Sequence, residues 1–383
     1  MLRNPLTYLI LVSMVLILAV PSTSSMWTAQ GLPLRIHIRA NGTGANRNGD
    51  PLSSRAPLIY IRANGTVEPA NVSIQRTGNT YTFTNDVNAL SIIIERSGIT
   101  VNGNWHRLNG TGFLDGRDGF NLTGLTGVTV ERVKISNFYS GIGMYLSTRI
   151  TLVQNELTNN SYGIYANWSN DSIISRNKVM HNNGGGLYMP SEFNVTVEDN
   201  LVSWNIDYAM RVEYTRNCTF LRNIVANNYG PGIHMFLSYN NTVFHNTFIN
   251  NTPNAISQGS VNIWDDGYPS GGNYWFDYQT KYHDTVEIDS SGIWGTPYVI
   301  DGNNTDRYPY VRPLPIGLLG DVNYDGVVNI LDITIIASAY NHTEGEPQWI
   351  PQADLVPPYG TINMLDLVTC AAHYGETFPE NDT

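Results

Sequence analysis

Asp321, Asn323, Asp325, Asn329 and Asp332 occupy the first, third, fifth, ninth and twelfth places of one twelve-residue stretch. Gly326 holds the sixth place, and the carbonyl of Val327 falls at the seventh. Hard oxygens at alternating positions, with a glycine for the sharp turn, are what a calcium ion needs from a short loop. The twelfth ligand is Asp where Glu is usual. A helix is expected from about Ile330 to Tyr340. Asn329-Ile330-Leu331-Asp332 recurs 34 residues later as Asn363-Met364-Leu365-Asp366, and Ala337 and Tyr340 recur as Ala371 and Tyr374. The second loop is damaged. Asp354 is one residue too far from Gly360, and Val356 and Pro358 stand where ligands belong. One good calcium site is therefore expected, from Asp321, Asn323, Asp325, Val327, Asn329 and Asp332. A weak or absent one is expected from Asp354, Asn363 and Asp366. A plain Asp/Asn/Gly turn without metal is the competing reading, and it suits the second loop better.

A second set of residues could recognise sugars. Tyr165, Tyr188, Arg211 and His234 recur at intervals of 23 residues, with Tyr145, Asn167, Glu213 and Phe236 beside them. Asp207 and Tyr208 lie just before Arg211. Aromatic faces meet the C–H groups of a sugar ring, while Arg, Glu and Asn bind its hydroxyls. The competing reading is that the tyrosines only cover a β-face, with Arg211 and Glu213 paired to each other.

Other chemistry finds less support. The columns Lys134, Glu156, Lys178 and Arg176, Asp199, Arg222 alternate in sign, as a self-neutralising solvated face would. A glycoside hydrolase needs unpaired carboxylates at set separations. A polysaccharide lyase needs an acid cluster with a basic residue, and neither arrangement is visible. Copper would want Met and His converging. Met180-His181 and His234-Met235 do not supply that, and His245 and His283 are isolated.

These side chains need a frame, and the stretch from Val128 to Ser257 supplies one by repeating itself. Asn155, Asn177, Asn200, Asn223 and Asn246 align at spacings of 22, 23, 23 and 23 residues. Asn160, Asn182, Asn205, Asn228 and Asn251 keep the same register. Apolar columns run alongside: Val130, Leu152, Ile174, Val197, Phe220, Val243; and Ile135, Leu157, Val179, Val202, Val225, Phe248. Two more read Ile142, Ile164, Leu187, Met210, Ile233, Ile256 and Met144, Ala166, Met189, Val212, Met235, Gln258. A fixed period of this length means a solenoid, and period-2 alternation makes its elements strands. The expected fold is mainly β, a parallel β-helix followed by a small α-helical calcium module. Asparagine suits the corners because it tolerates left-handed backbone and can bond from coil to coil.

The chain has 383 residues, of which only 14% are charged, and a net charge of −11. Ten of its acids lie after Arg312, where there is no Lys or Arg; the first 312 residues hold 22 acids against 21 bases. That acidic end argues against nucleic acid and for a cation. Cys218 and Cys370 lie in different segments and read as buried apolar residues.

Residues 1–25 read as a secretory signal, with Arg3 before the apolar run Leu6 to Val20 and then a Pro-Ser-Thr-Ser-Ser stretch. An uncleaved anchor is the alternative. Asn-X-Ser/Thr sequons such as Asn194, Asn217 and Asn240 agree with export. Residues 26–57 form an N-terminal segment, 58–262 the solenoid, and 263–312 an aromatic, Gly-rich cap in which Trp264 and Trp275 close the bore. A linker at 313–319 leads to the calcium module at 320–376, with a tail to residue 383.

The Asn-rich coils, the segment Trp264-Asp265-Asp266-Gly267-Tyr268-Pro269-Ser270-Gly271-Gly272-Asn273-Tyr274-Trp275, and Asp306-Arg307-Tyr308-Pro309 resemble the NosD-type β-helix family. That resemblance implies a right-handed parallel β-helix of the carbohydrate-binding and sugar-hydrolysis type. The first calcium loop resembles a dockerin module, a fold built on EF-hand-like loops. Dockerins dock on cohesins through residues at the helix starts, here Ile330-Leu331 and Met364-Leu365 instead of the Ser-Thr pairs of cellulosomal members. The expectation is an exported or cell-surface protein that binds glycans or acts as a scaffold, with the module available to a cohesin-like or other surface protein. The alternatives are a polysaccharide-degrading enzyme of the same fold and a NosD-like copper-related protein.

Overall fold

Short runs with every second residue apolar cannot bury one face alone, so they stack. In the structure, a computed structural model describing residues 56–314 and 317–378, they form three largely parallel sheets of ten, ten and nine strands. The expected signal at 1–25 lies outside the described residues, as does all but the end of the 26–57 segment. No helix among the described residues is long and apolar enough to cross a membrane.

Each coil contributes one strand to each sheet. The first sheet runs through Asp118–Thr123, Ser140–Tyr145, Tyr162–Asn167, Gly185–Pro190, Tyr208–Glu213, Ile233–Phe236 and Ala255–Gln258. Ile142, Ile164, Leu187, Met210 and Ile233 stack in register and point into the bore, each at most 1% exposed. The last coil departs from the expected columns. Ala255 and Ser257 stack on Ile233 and Met235, so Ile256 falls beside outward His234 and Gln258 beside outward Phe236. That coil is one residue shorter than its predecessor, and a slip of one residue exchanges the faces of a strand.

The asparagine columns are buried hydrogen-bond ladders. Asn177 donates its backbone N–H and its amide to Asn200 Oδ1 at 2.9 and 3.0 Å, and its amide also reaches the Leu152 carbonyl at 2.9 Å. Asn246 passes the ladder to Asn273 in the cap, and Asn251 passes the second ladder to Asn254. Buried amides arranged this way leave few groups orphaned, and each orphan would cost about 1–3 kcal/mol. At the upper end Trp275 stacks between Phe248 and Tyr298, with ring centroids 4.7 and 4.3 Å away. Trp264 and Trp275 are each 1% exposed, and their indole N–H groups donate to Asn304 and Asp306.

Beyond the short helix α1 (Tyr278–Lys281) lies a small C-terminal region with helices α2 (Ile330–Ser338) and α3 (Met364–Ala372). Its own core comprises Val322, Val328, Ile336, Ala339, Ala353, Ile362 and Cys370. It packs on the outside of the third sheet. There the outward column begins as Lys134, Glu156, Lys178 and turns apolar at Leu201 and Ile224. Tyr324 and Phe378 cover that apolar part together with Ala226 and Ile249. Ile330 and Leu331 at the start of α2 are 58% and 56% exposed. These two side chains point to solvent, and Val328 and Ile336 carry the packing.

Candidate functional site

Outward positions of the first sheet follow from its register. Gly143, Tyr165, Tyr188, Arg211 and His234 stack in one column. Tyr145, Asn167, Pro190, Glu213 and Phe236 form the next. A third aromatic group, Tyr139, Tyr162 and Tyr208, closes in from the strand starts. Six tyrosines thus share one face, with neighbouring ring centroids 5.0–6.4 Å apart. Tyr165 and Tyr188 meet edge to face at 5.0 Å, the geometry that ring quadrupoles favour.

Polar groups are fixed on this floor. Arg211 Nη2 lies 2.5 Å and Nε 2.6 Å from Glu213 Oε1, and the Tyr188 hydroxyl donates to Glu213 Oε2 at 2.8 Å. The Arg211 guanidinium sits 5.4 Å from the Tyr188 ring centroid and 5.6 Å from that of Tyr208. At the other end Asp118 accepts from the Tyr145 hydroxyl at 3.3 Å and the Asn121 amide at 3.2 Å. It lies over Gly143, where an added Cβ would come within 2.6 Å of its carboxyl. Burial and the Asp118 carboxylate raise the Tyr145 phenol well above its ordinary range. Burial pushes Tyr165 up to about 12, with its neighbours Tyr139 and Tyr162 adding to the rise. Tyr145 and Tyr165 are therefore neutral donors at any physiological pH.

Tyr165, Tyr188 and Arg211 are half-buried and reach the surface. Tyr208 and Glu213, at 4% and 8% exposed, belong to the supporting floor rather than the contact surface. His234 stands at the far end, 3.2 Å from Gln258. The flanking charges neutralise one another: Lys134 meets Glu156 at 3.4 Å, and Arg222 meets Asp199 at 2.7 Å.

Carboxylate spacing limits the chemistry of this face. Asp118 and Glu213 are four coils apart, about 19 Å along the axis, and Asp207 and Glu213 sit at opposite ends of one strand, about 20 Å apart. Paired glycosidase carboxylates lie about 5–10 Å apart. No such pair is formed by these three acids.

The acidic loop is a closed ring of hydrogen bonds. Asp321 accepts from the Gly326 and Asp325 N–H groups at 2.8 and 3.1 Å, and Asp332 accepts from Val322 at 3.0 Å and Asn329 at 2.8 Å. Asp321 is 7% exposed and Asp332 fully buried. Burial pushes Asp321 up to about 7, and the neighbouring Asp332 and Asp325 add to the rise. Among the described residues no three His, Cys, Asp or Glu side chains converge on one point. The loop nonetheless carries three carboxylates within twelve residues, Asp321, Asp325 and Asp332, hard donors of the kind calcium takes. Asn329 and Asp332 also form a capping box on α2, repeated by Asn363 and Asp366 on α3. The recurrent Asn-X-X-Asp therefore serves as a helix cap in both halves, whatever else it does.

The second loop already holds a side-chain cation. Arg312 Nη1 lies 2.9 Å from the buried Asp354 Oδ2, and the Gly360 N–H donates to the same carboxylate. A guanidinium occupies the charge position, and sequence reasoning, which treated 313–319 as a linker beginning just past Arg312, missed it. The first loop has its own cationic neighbour: a Cβ at Gly326 would come within 2.6 Å of Lys178 Nζ. Burial holds the Lys178 ammonium below its ordinary value against the pull of Glu156, Asp325 and Asp321.

The fold and this face define a right-handed parallel β-helix with an aromatic, polar-studded outer sheet. Residues 118–268 match the model described as the right handed beta helix region. No curated protein matches the sequence. Among solved structures the chain is similar to the periplasmic alginate epimerase AlgG, at 14% identity and TM-score 0.40, covering 60% of this chain and 74% of that one. It is similar to tailspike protein 2 of an Escherichia coli O157:H7 bacteriophage, at 13% identity and TM-score 0.38, covering 50% and 33%. It is also similar to the Streptococcus pneumoniae surface protein and adhesin PfbA, at 12% identity and TM-score 0.30, covering 48% and 66%. The chain thus spans only a third of that tailspike's length.

Proposed function

We propose that this is an exported β-helix protein that binds a glycan on the outer face of its first sheet. One observation carries the reading: six tyrosines share that face with an Arg211–Glu213–Tyr188 network that holds donors and acceptors in place. Sugar rings have apolar faces and hydroxyl rims, and such a surface answers both at once. Binding is favoured over hydrolysis because Asp118, Asp207 and Glu213 lie too far apart to act as a pair.

The C-terminal region acts as a dockerin-like module with calcium in the first loop, held by Asp321, Asn323, Asp325, Asn329, Asp332 and the Val327 carbonyl. Bound there, calcium would neutralise carboxylates that otherwise repel one another. The paired helix-start residues Ile330-Leu331 and Met364-Leu365 are all more than half exposed and would meet a cohesin-like or other surface protein. Residues 1–25 would direct the chain to the cell surface or beyond.

The test is a glycan array on the purified protein, with reducing-end and unsaturated-product assays run in parallel on every positive. Retention without turnover supports the proposal. Turnover would replace it with an enzymatic function, and no retention at all would overturn it.

A further inference from the structure

Immediately after each strand of the first sheet from Asp118–Thr123 onward the chain turns a corner through one left-handed residue. Successive coils place Leu146, Trp168, Ser191, Tyr214 and Leu237 there, with φ of 52, 56, 65, 54 and 48°. Each donates its backbone N–H to the coil above, as Leu146 does to the Asn167 carbonyl at 3.0 Å and Tyr214 to the Phe236 carbonyl at 3.0 Å. Left-handed backbone is least costly for Gly, Asn and Asp. A neighbouring corner mostly follows that rule, with Asp171, Asn194, Asn217 and Asn240 after Arg149. This one follows it only at the two ends of the series, with Gly124 and Gly259. Its bulky residues gain little packing in return, for Leu146, Trp168 and Tyr214 are 68%, 57% and 53% exposed. Other corners also carry bulky left-handed residues, as at Gln154 and Arg176, so what sets this edge apart is its row of exposed apolar side chains, and such exposure marks interaction surfaces.

We infer that this corner is a ridge on which a linear glycan lies parallel to the solenoid axis, extending the tyrosine face. The inference rests on the glycan-binding reading and adds the direction and class of the chain. Trp168 and Tyr214 are two coils apart, about 10 Å along the axis, and Ser191 between them leaves a gap. An extended ribbon of equatorially linked pyranoses turns the same ring face outward at every second sugar, at a comparable interval. Trp168 and Tyr214 would therefore stack alternate rings, while the ring between them passes over Ser191. Asn167 beside Trp168 and Phe236 against Tyr214, centroids 5.7 Å apart, join the ridge to the face described above. An axially linked chain coils and cannot keep this register.

The experiment compares cello-, xylo- and chito-oligosaccharides of increasing length with malto-oligosaccharides, using the full chain and calorimetry. Wild type should bind an equatorially linked series more tightly as the chain lengthens. Trp168→Ala and Tyr214→Ala should each weaken the longest member by about tenfold, leave the shortest unchanged and keep the melting temperature. Trp168→Tyr should retain most of the gain with length. Unchanged length dependence in both alanine variants would overturn the ridge. If Tyr188→Ala still abolishes binding in that case, the face stands without it. Retention of none of the probes by wild type, or preference for the malto series, would overturn the class assigned here. A wild-type dimer that Tyr214→Ala converts to monomer would make the ridge a self-association surface instead.

Discussion

Glu192 offers a sharp test of the corner ladders. It occupies a column otherwise made of Ser147, Ser169, Thr215, Ser238 and Ser260, and it is 1% exposed. Its Oε2 accepts from the Ser169 N–H at 2.9 Å, whereas Oε1 has no partner. Burial pushes its carboxyl up to about 8, against the backbone bonds from Ser169 and Trp168. The folded protein therefore keeps a proton that the unfolded chain releases near pH 4.5. Stability from this group is fully present below that pH and is lost as pH rises to about 8, at about 1.4 kcal/mol per pH unit. By pH 7 the loss is on the order of 3 kcal/mol. Glu192→Gln keeps the acceptor for Ser169 and removes the titration. Denaturant midpoints of wild type and variant should converge near pH 5 and separate progressively up to pH 8, with the variant the more stable. Parallel curves over that range would refute the claim that a buried, protonated carboxyl sits in the ladder.

Asn200→Leu should cost about 3 kcal/mol or more, because it strands the Asn177 N–H and strips a donor from the Ile174 carbonyl. In thermal unfolding the exposed Asn183→Ala should shift the midpoint hardly at all, and equal shifts for the two variants would contradict the ladder. Asp354→Ala should destabilise the C-terminal region by about 2 kcal/mol, since it leaves Arg312 without its buried partner. Restoration of stability in the Arg312→Met, Asp354→Ala double variant would identify the ion pair as the cause, and no loss in the single variant would refute it. Calcium should raise the melting temperature of the full chain with one equivalent bound, and Asp321→Ala should abolish the effect. Two equal sites by calorimetry would show that Arg312 yields the second loop to the ion.

The solenoid was legible because it repeats. Columns of Asn and of apolar residues read at a fixed period gave strands, bore and register together, and failed only at Ala255, where a shorter coil changed the phase. The tyrosine face was legible for the same reason, since outward columns can be counted from inward ones. Burial was not, and Tyr208 and Glu213 proved to be floor rather than surface. Asp118 was missed because it lies below the regular coils and bends over Gly143, a contact that period alone does not reveal. The seat of the C-terminal region was written in the outward column that changes from Lys178 to Leu201 and Ile224. The Arg312–Asp354 pair spans 42 residues and left no local signal.

The central claim, that the first sheet's outer face binds a glycan, is tested most directly by titrating one array-positive oligosaccharide into wild type, Tyr188→Ala and Arg211→Ala. Both variants should lose at least about tenfold in affinity while their melting temperatures stay close to that of wild type. Undiminished affinity, or affinity that falls only in step with loss of the fold, would show that these residues merely cover the sheet.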